Sequence, residues 1–308
     1  MTNRWWIYQK ERFPIIAHGP LIVVFCLAVM LFSALQQEQF VLPDIVRISG
    51  AVISTLILFF QLRVADEFKD FEIDLKYRPQ RPVPRGLVQL QELATLAYLG
   101  AVIQFLIALF VDIGLLPILA AVWAYMALMT KEFFAPVWLR KHPAIYLFSH
   151  MLIMPLIAFY VSAFDWLCVC RAMPQGISWI LSVAFFCGLV LELGRKIRIP
   201  RLEQEGVETY SALWGTGNSV AIWLVSIVAA VAAYANAAAL ITSSNLHIGL
   251  GAAALAIGIL TLSLFPKQYD RGYPEFAAKI IEPSSGLVAM LLYLGLGPIQ
   301  AILRLQGA

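Results

Sequence analysis

One acidic segment at the end of an apolar run decides how this chain folds and works: DEFKDFEIDLKYRPQRPVPRG, residues 66–86. Asp66, Asp70 and Asp74 recur every fourth residue, and Glu67 precedes Asp70 by three. On a helix, this spacing places the three aspartates along one stripe. Like charges at this spacing destabilise a helix by roughly 0.2–0.5 kcal/mol per pair, and desolvation at a membrane boundary adds to the penalty. A bound cation would offset both effects, and Mg²⁺ bridging to a phosphate ligand is the simplest candidate.

The second half of the segment is basic. Lys76, Arg78 and Arg81 follow the acids, and prolines within 79–84 stop the helix and stiffen the loop. A ligand that needs both a metal and guanidinium groups is typically a diphosphate, because the metal neutralises its oxygens and arginine binds them in pairs. In the alternative interpretation, the acids pair with Lys69, Lys76 and Arg78 at a solvated helix end.

The composition is that of a membrane protein. Hydrophobic residues make up 61% of the 308 residues, charged residues only 13%, and the mean hydropathy is +0.79. Soluble domains are roughly 45–50% apolar and about 25% charged. We therefore predict an all-α, multi-pass integral membrane protein in the lipid bilayer, with no nucleic-acid partner. The tryptophans of residues 1–14 favour an interfacial segment, and no small-residue cleavage site of a signal peptide follows them.

Nine apolar stretches are long enough to cross a bilayer, which takes about 20 residues. The predicted spans are 17–37, 45–66, 91–110, 113–131, 144–163, 177–195, 215–236, 246–265 and 284–304. If the N-terminus is cytoplasmic, most Lys and Arg residues fall in cytoplasmic loops, and only Arg47, Arg171 and Arg304 fall near the other face. This asymmetry follows the positive-inside rule and predicts a cytoplasmic N-terminus, cytoplasmic charged loops and an external C-terminus.

A second charged loop follows the sixth predicted span: ELGRKIRIPRLEQEGVETYSALWG, residues 192–215. Charged loops after spans two and six indicate a weak internal repeat of about four helices. We predict one domain, 1–308, with helices 1–4 and 5–8 as pseudo-repeats and a ninth helix added. Glu192 is either a metal ligand or an ion-pair partner of Arg195 and Lys196, which follow it at helical spacing.

The first loop resembles a motif of the UbiA-type superfamily of intramembrane prenyltransferases, NDxxDxxxD. Here the motif reads DExxDxxxD, with Asp66 at the asparagine position, Glu67 at the first aspartate, and Asp70 and Asp74 at the next two. The run RPVPRG, residues 81–86, is similar to the family's RPL-P-x-G segment. The resemblance implies a nine-helix bundle around a central cavity, capped by loops on the cytoplasmic side.

The second loop resembles the family only in part. GVETYSALWG, residues 206–215, is similar to the family's G-x-x-T-x-x-x-x-x-G, but the expected DxxxD is replaced by Glu192, a basic run and ExE. In one interpretation, a second Mg²⁺ is held by Glu192 together with Glu203 or Glu205. In the other, part of the diphosphate is bound directly by Arg195, Lys196 and Arg198.

By this resemblance, an Mg²⁺-dependent enzyme ionises an isoprenyl diphosphate and transfers the prenyl group to an aromatic or lipid acceptor. The implied catalytic acids are Asp66, Glu67, Asp70, Asp74 and Glu192. The implied metal ligands are those five acids with Glu203 and Glu205. The implied diphosphate ligands are Lys76, Arg78, Arg81, Lys131, Arg195, Lys196 and Arg198.

Two other functions compete with prenyl transfer. A terpene cyclase of the same fold would let the ionised chain attack itself without an acceptor, and the altered second motif keeps this alternative open. A transporter would also fit nine spans with buried charge, but the acidic stripe lies at the mouth rather than the midplane.

Polar residues inside the fifth predicted span raise a further possibility. His150 would either take a proton from an acceptor or a carbocation, or hydrogen-bond between helices. Candidate linings for an aromatic chamber are Tyr125, Phe133, Phe134, Tyr146, Trp179 and Phe186.

The predicted topology can be tested by cysteine labelling. We expect Gln80→Cys and Glu208→Cys to react with a membrane-impermeant thiol reagent only from the cytoplasmic side. The native pair Cys168 and Cys170, predicted to be external, should react from the opposite side and serves as the internal control. Labelling of either introduced cysteine from outside would show that the orientation is wrong.

Overall fold

The computed structural model describes residues 3–37, 39–203, 206–242, 245–270 and 274–307, with side chains except at 201, 266–270, 274–279 and 307. Within these ranges helices are the regular secondary structure, without strands, and the all-α prediction is confirmed. The helices are α1 Arg4–Arg12, α2 Ile15–Ala34, α3 Ile45–Lys69, α4 Phe71–Tyr77, α5 Leu90–Val111, α6 Leu115–Thr130, α7 Pro136–Lys141, α8 Pro143–Met151, α9 Ile153–Val169, α10 Ile177–Lys196, α11 Tyr210–Trp214, α12 Thr216–Ala238, α13 Leu246–Asp270, α14 Pro274–Leu296 and α15 Pro298–Gly307.

Eight helical segments of the described chain are long and apolar enough to cross a membrane. Two of them are composite, since α8 and α9 form the segment Pro143–Val169, and α14 and α15 supply Ile280–Gln306. These segments make the chain a multi-pass integral membrane protein. The predicted span 113–131 corresponds to α6, which has only 16 residues. The count of nine spans therefore stays a prediction.

The apolar helices pack in chain order into a closed ring. Each of α2, α3, α5, α6, α9, α10, α12, α13 and α14 contacts the next, and α14 returns to α2. Contacts between α2 and α9 and between α10 and α14 cross the ring. The predicted central cavity and the predicted repeat therefore stay predictions, while the ring order places the ends of α3 and α10 at the same membrane face.

Small residues set the closest helix contacts, as expected where apolar surface alone does not drive association. A Cβ added at Gly194 of α10 would lie 2.1 Å from Ser285 Oγ on α14. Ser285 Oγ also accepts a hydrogen bond of 2.8 Å from Trp223 Nε1 on α12, so one hydroxyl joins three helices. The absence of a side chain at Gly194 is what permits this junction.

The first helix packs against the end of the bundle that carries the acidic segment. Asn3 caps α1 by accepting a hydrogen bond from Trp5 N at 3.0 Å. Tyr8 is buried in a small apolar cluster with Val64 of α3 and Val88 of the following loop. This packing fixes α1 beside the acidic segment, with Arg12 at its last position.

The helix junction at Gly194 can be tested by substitution. We expect Gly194→Ala to lower the free energy of unfolding by about 1–3 kcal/mol, because the added methyl group would displace the Ser285 hydroxyl. Thermal unfolding in detergent measures the change. Gly286→Ala is the matched control, because a Cβ there meets nothing within 4 Å. It should be neutral or slightly stabilising, and equal effects of the two substitutions would contradict the packing argument.

Candidate active site

The four acids of the first motif divide into two pairs. Glu67 and Asp74 are buried, whereas Asp66 and Asp70 are partly exposed. Glu67 and Asp74 are seven residues apart, Asp66 and Asp70 are four apart, and each of these spacings brings two side chains to nearly the same side of a helix. α3 ends at Lys69, and the backbone then continues through Asp70 into α4. The acidic stripe predicted from the sequence therefore spans two environments.

Three arginines surround the buried pair. Arg12 Nε lies 2.5 Å from Glu67 Oε1, and the Arg12 guanidinium lies 3.9 Å from Asp74 Oδ2. Asp74 also pairs with Arg78 at 3.1 Å and with Arg81 at 2.5 Å. The side chains of Glu67 and Asp74 are each 2% exposed, so each carboxylate requires these partners. Arg78 and Arg81, expected as diphosphate ligands, thus contact an acid of the motif.

The second pair is open to a ligand. Asp66 is half exposed, and its only ion pair in the described structure is to Arg63 at 3.5 Å. The Asp70 carboxylate forms no ion pair or hydrogen bond with any described residue. Burial raises the pKa of Asp70, and the carboxylates of Asp66 and Asp74 raise this pKa further. The nearby ammonium groups of Lys69 and Lys196 act on the same pKa in the opposite direction.

The open pair suits one Mg²⁺ ion. Mg²⁺ in phosphate-transfer sites is held by one or two carboxylates, with phosphate oxygens and water completing its shell. Asp66 and Asp70, one helical turn apart, supply that number. Among the described residues, no cluster of three or more His, Cys, Asp or Glu side chains could enclose a metal. The geometry therefore fits a metal completed by its substrate rather than one enclosed by protein.

The end of α10 brings a second charged cluster to the same face. Glu192 Oε2 lies 2.7 Å from Arg195, and Glu192 Oε1 lies 2.9 Å from Lys196. Arg195 interacts electrostatically with Asp66, and Lys196 with Asp70. The cations of the second motif are therefore within electrostatic range of the open acids of the first, although the described structure shows no ion pair between them. Both oxygens of Glu192 are engaged by cations.

The loop after α10 approaches the loop after α4. Gly206 has φ +73°, and a Cβ there would lie 2.3 Å from the Tyr77 ring, so only glycine allows this contact. Glu203 accepts hydrogen bonds from Thr209 Oγ1 at 2.6 Å and from Ser211 Oγ at 2.7 Å, which close its own loop. Glu205, the other expected ligand in this loop, lies outside the described residues.

The remaining predicted cations lie at the edge of the site. Lys76 is exposed, with its ammonium 4.7 Å from the centroid of the Tyr77 ring. Lys131 is exposed at the end of α6. Arg198 donates its backbone N–H to Ser211 Oγ at 2.7 Å. Their proximity to a diphosphate stays a prediction.

Two basic residues at the site were not predicted from the sequence to bind a ligand. Arg12 counted only toward the topology, yet it holds both buried acids. Lys69 binds Glu132 at 2.8 Å and also hydrogen-bonds to Tyr146 OH. The sequence signal for Arg12 was its place at the end of a basic interfacial helix just before a span. No local pattern linked Lys69 to Tyr146.

The comparisons with known proteins agree with this architecture. The sequence profile of the UbiA prenyltransferase family matches residues 9–281. The chain belongs to the UbiA prenyltransferase family. A structure of a UbiA homolog from Aeropyrum pernix K1 superposes with a TM-score of 0.63 at 16% identity, over 93% of this chain and 98% of that chain. No curated protein sequence matches the chain.

A second structural neighbour has the same fold. It comes from work on digeranylgeranylglyceryl phosphate synthase in membranes, and superposes with a TM-score of 0.61 at 16% identity. The match covers 95% of this chain and 98% of that chain. At such identity the likeness shows the fold alone. The UbiA resemblance predicted from the first motif is confirmed.

The buried pair of Arg12 with Glu67 generates a stability prediction. We expect Arg12→Met to lower the free energy of unfolding by about 3–5 kcal/mol, because it leaves the buried Glu67 carboxylate without its partner. The double substitution Arg12→Met with Glu67→Leu should recover part of that loss. Thermal unfolding in detergent of both variants measures the difference.

The control for this prediction is a surface ion pair of the same kind. Arg85 lies 3.0 Å from Glu11, and their side chains are 36% and 41% exposed. Arg85→Met should therefore change the free energy of unfolding by at most about 1 kcal/mol. A loss in Arg12→Met no larger than that of the control would show that the buried pair is unimportant.

Proposed function

We propose that this UbiA-family protein ionises an isoprenyl diphosphate at its cytoplasmic mouth and transfers the prenyl group to an aromatic or lipid acceptor. The observation that carries the proposal is the meeting of two charged segments. Asp66 and Asp70 lie within electrostatic range of the cations Arg195 and Lys196, which belong to a helix more than a hundred residues later in the sequence. Acids for a metal and bases for a phosphate thus meet at one membrane face.

In the proposed ionisation step, the acids bind the metal and the cations bind the diphosphate. Asp66 and Asp70 would hold Mg²⁺, which when bound neutralises charge on the diphosphate leaving group. Arg195 and Lys196 would bind the diphosphate oxygens and stabilise the charge that develops as the C–O bond breaks. Both groups lie at the end of apolar helices, so the prenyl tail can remain in the hydrophobic part of the bundle while its head is bound.

The proposed role of Glu192 is to position those two cations. Its two oxygens already contact Arg195 and Lys196, at 2.7 and 2.9 Å. These contacts support the ion-pair interpretation over a second metal site. Glu192 would then act through its neighbours, by holding their long side chains in place for the diphosphate.

A direct assay tests the proposed function. Purified protein with Mg²⁺ and farnesyl or geranylgeranyl diphosphate should release diphosphate and, once an acceptor is added, form a prenylated product. The acceptors to use are a phenolic acid and a hydroxyl-bearing lipid. Cyclised hydrocarbon from the donor alone would instead show a terpene cyclase. No diphosphate release with any donor would contradict both and favour transport.

The same assay tests the acids. We expect Asp70→Ala to reduce diphosphate release at least about 10²-fold, because it removes a carboxylate that should bind the metal. Asp66→Asn should be milder, since the family motif has asparagine there. Glu72→Gln, which removes an exposed acid from the same segment, is the matched control and should retain normal turnover. Normal turnover in Asp70→Ala at saturating Mg²⁺ would overturn the site.

A double-mutant cycle tests the role of Glu192. We expect Glu192→Gln and Lys196→Gln each to raise the KM for the donor, and the double variant to lose less than the sum of the two. The coupling follows because each substitution breaks the same contact. The Mg²⁺ concentration for half-maximal rate should stay constant throughout. A strong increase in that concentration for Glu192→Gln alone would indicate a metal ligand instead.

A further inference from the structure

One base near the mouth takes no part in the proposed ionisation. His150 lies in α8, and its Nδ1 is 2.8 Å from the backbone oxygen of Tyr146. A carbonyl oxygen can only accept, so Nδ1 carries the proton and the lone pair lies on Nε2. The Ser149 hydroxyl is 3.4 Å from Nδ1, but it donates its own proton to the same carbonyl at 3.0 Å. It therefore does not change this assignment.

Hydrogen bonding within the fold does not account for the Nε2 atom of His150. It is buried, and it has no hydrogen-bond partner among the described residues. A buried polar atom without a partner is unfavourable, and a phenylalanine would fill the same space without that penalty. A packing role therefore accounts for the ring but not for the nitrogen.

Aromatic rings surround the imidazole. The Tyr146 ring stacks on it with centroids 4.0 Å apart and planes at 13°. Phe133 meets it edge-on at 5.8 Å, and Tyr125 meets Phe133 at 5.6 Å. Aromatic faces attract cations through their quadrupole. A carbocation close to these rings would be stabilised and would lie beside an available lone pair.

The ring stack also connects to the diphosphate site. Lys69 hydrogen-bonds to Tyr146 OH, and its ammonium lies 4.7 Å from the centroid of that ring. Lys69 directly precedes Asp70, one of the two open acids. His150 is therefore separated from the proposed site of ionisation by a single aromatic ring and one lysine.

We propose that Nε2 of His150 accepts the proton released after prenyl transfer, an inference that rests on the proposed function. The donor's C–O bond breaks, and its electron pair leaves with the diphosphate. A bond then forms between C1 of the prenyl cation and the acceptor. On an aromatic acceptor, the C–H bond at the attacked carbon breaks, its electrons restore the ring, and the proton passes to Nε2. On a hydroxyl acceptor, the O–H bond breaks and its electrons stay on oxygen.

The proton acceptor in this step does not need to be a strong base. A prenylated arenium ion or a protonated ether is a strong acid, so a neutral imidazole accepts its proton readily. Water that reaches the prenyl cation before the acceptor reacts captures it as an alcohol. Loss of the base should therefore change the fate of the cation more than its rate of formation.

The test measures two products of the same reaction. The full-length protein is assayed with Mg²⁺, geranylgeranyl diphosphate and either 4-hydroxybenzoate or monooleoylglycerol as acceptor probe. We expect His150→Gln and His150→Phe to reduce prenylated product about 10²-fold. Diphosphate release should stay within about threefold of wild type, with geranylgeranyl alcohol replacing the product. The retained diphosphate release also shows that both variants are folded.

A second histidine in the same local arrangement is the matched control. His142 Nδ1 lies 2.8 Å from the backbone oxygen of Trp138 and its ring lies 4.4 Å from the Trp138 ring, but His142 is exposed. His142→Gln should leave both readouts unchanged. If the His150 variants keep the wild-type ratio of product to diphosphate, with both readouts normal or both reduced equally, the inference about His150 is wrong and the proposed function is unaffected. A wild-type protein that releases no diphosphate would overturn the proposed function itself.

Discussion

The contacts of the buried Arg12 guanidinium are those on which the acidic end of the bundle depends. It contacts Glu67 at 2.5 Å and Asp74 at 3.9 Å, and thereby joins α1 to the end of α3 and to α4. Two buried carboxylates without such a partner would be strongly destabilising. With Arg12, Arg78 and Arg81 in place, that pair is neutralised. The remaining negative charge of the motif is then concentrated on Asp66 and Asp70, where a cation can reach it.

This division was only partly predictable from the sequence. The apolar spans follow from hydropathy, which is local, and the i, i+4 spacing of Asp66 and Asp70 was enough to place them together. Which acids are buried depends instead on where α1 packs, and Arg12 lies 55 residues before Glu67. A pattern read over a few helical turns contains no information about that contact. The length of α6 shows the same limit, since hydropathy alone did not indicate that its helix stops at 16 residues.

In the second motif, more of the contacts were predictable from the sequence. Glu192, Arg195 and Lys196 are neighbours on one helix, so their ion pairs were predictable as an alternative to metal binding. The approach of Gly206 to the Tyr77 ring was not, because it joins loops far apart in the sequence. Substitution of acids by a basic run in this motif has a physical consequence. Positive charge now lies within electrostatic range of the open acids, so under the proposed function less of the diphosphate charge would have to be neutralised by metal.

A strained turn at residues 132–134 lies between the charged residues and the aromatic rings around His150. Glu132, Phe133 and Phe134 have φ of 46°, 52° and 57°, a conformation that typically costs non-glycine residues about 1–3 kcal/mol each. The turn directs Glu132 to Lys69, at 2.8 Å, and Phe133 to the His150 ring. The ion pair and the ring contact both hold residues of this turn, and they help to maintain its backbone strain.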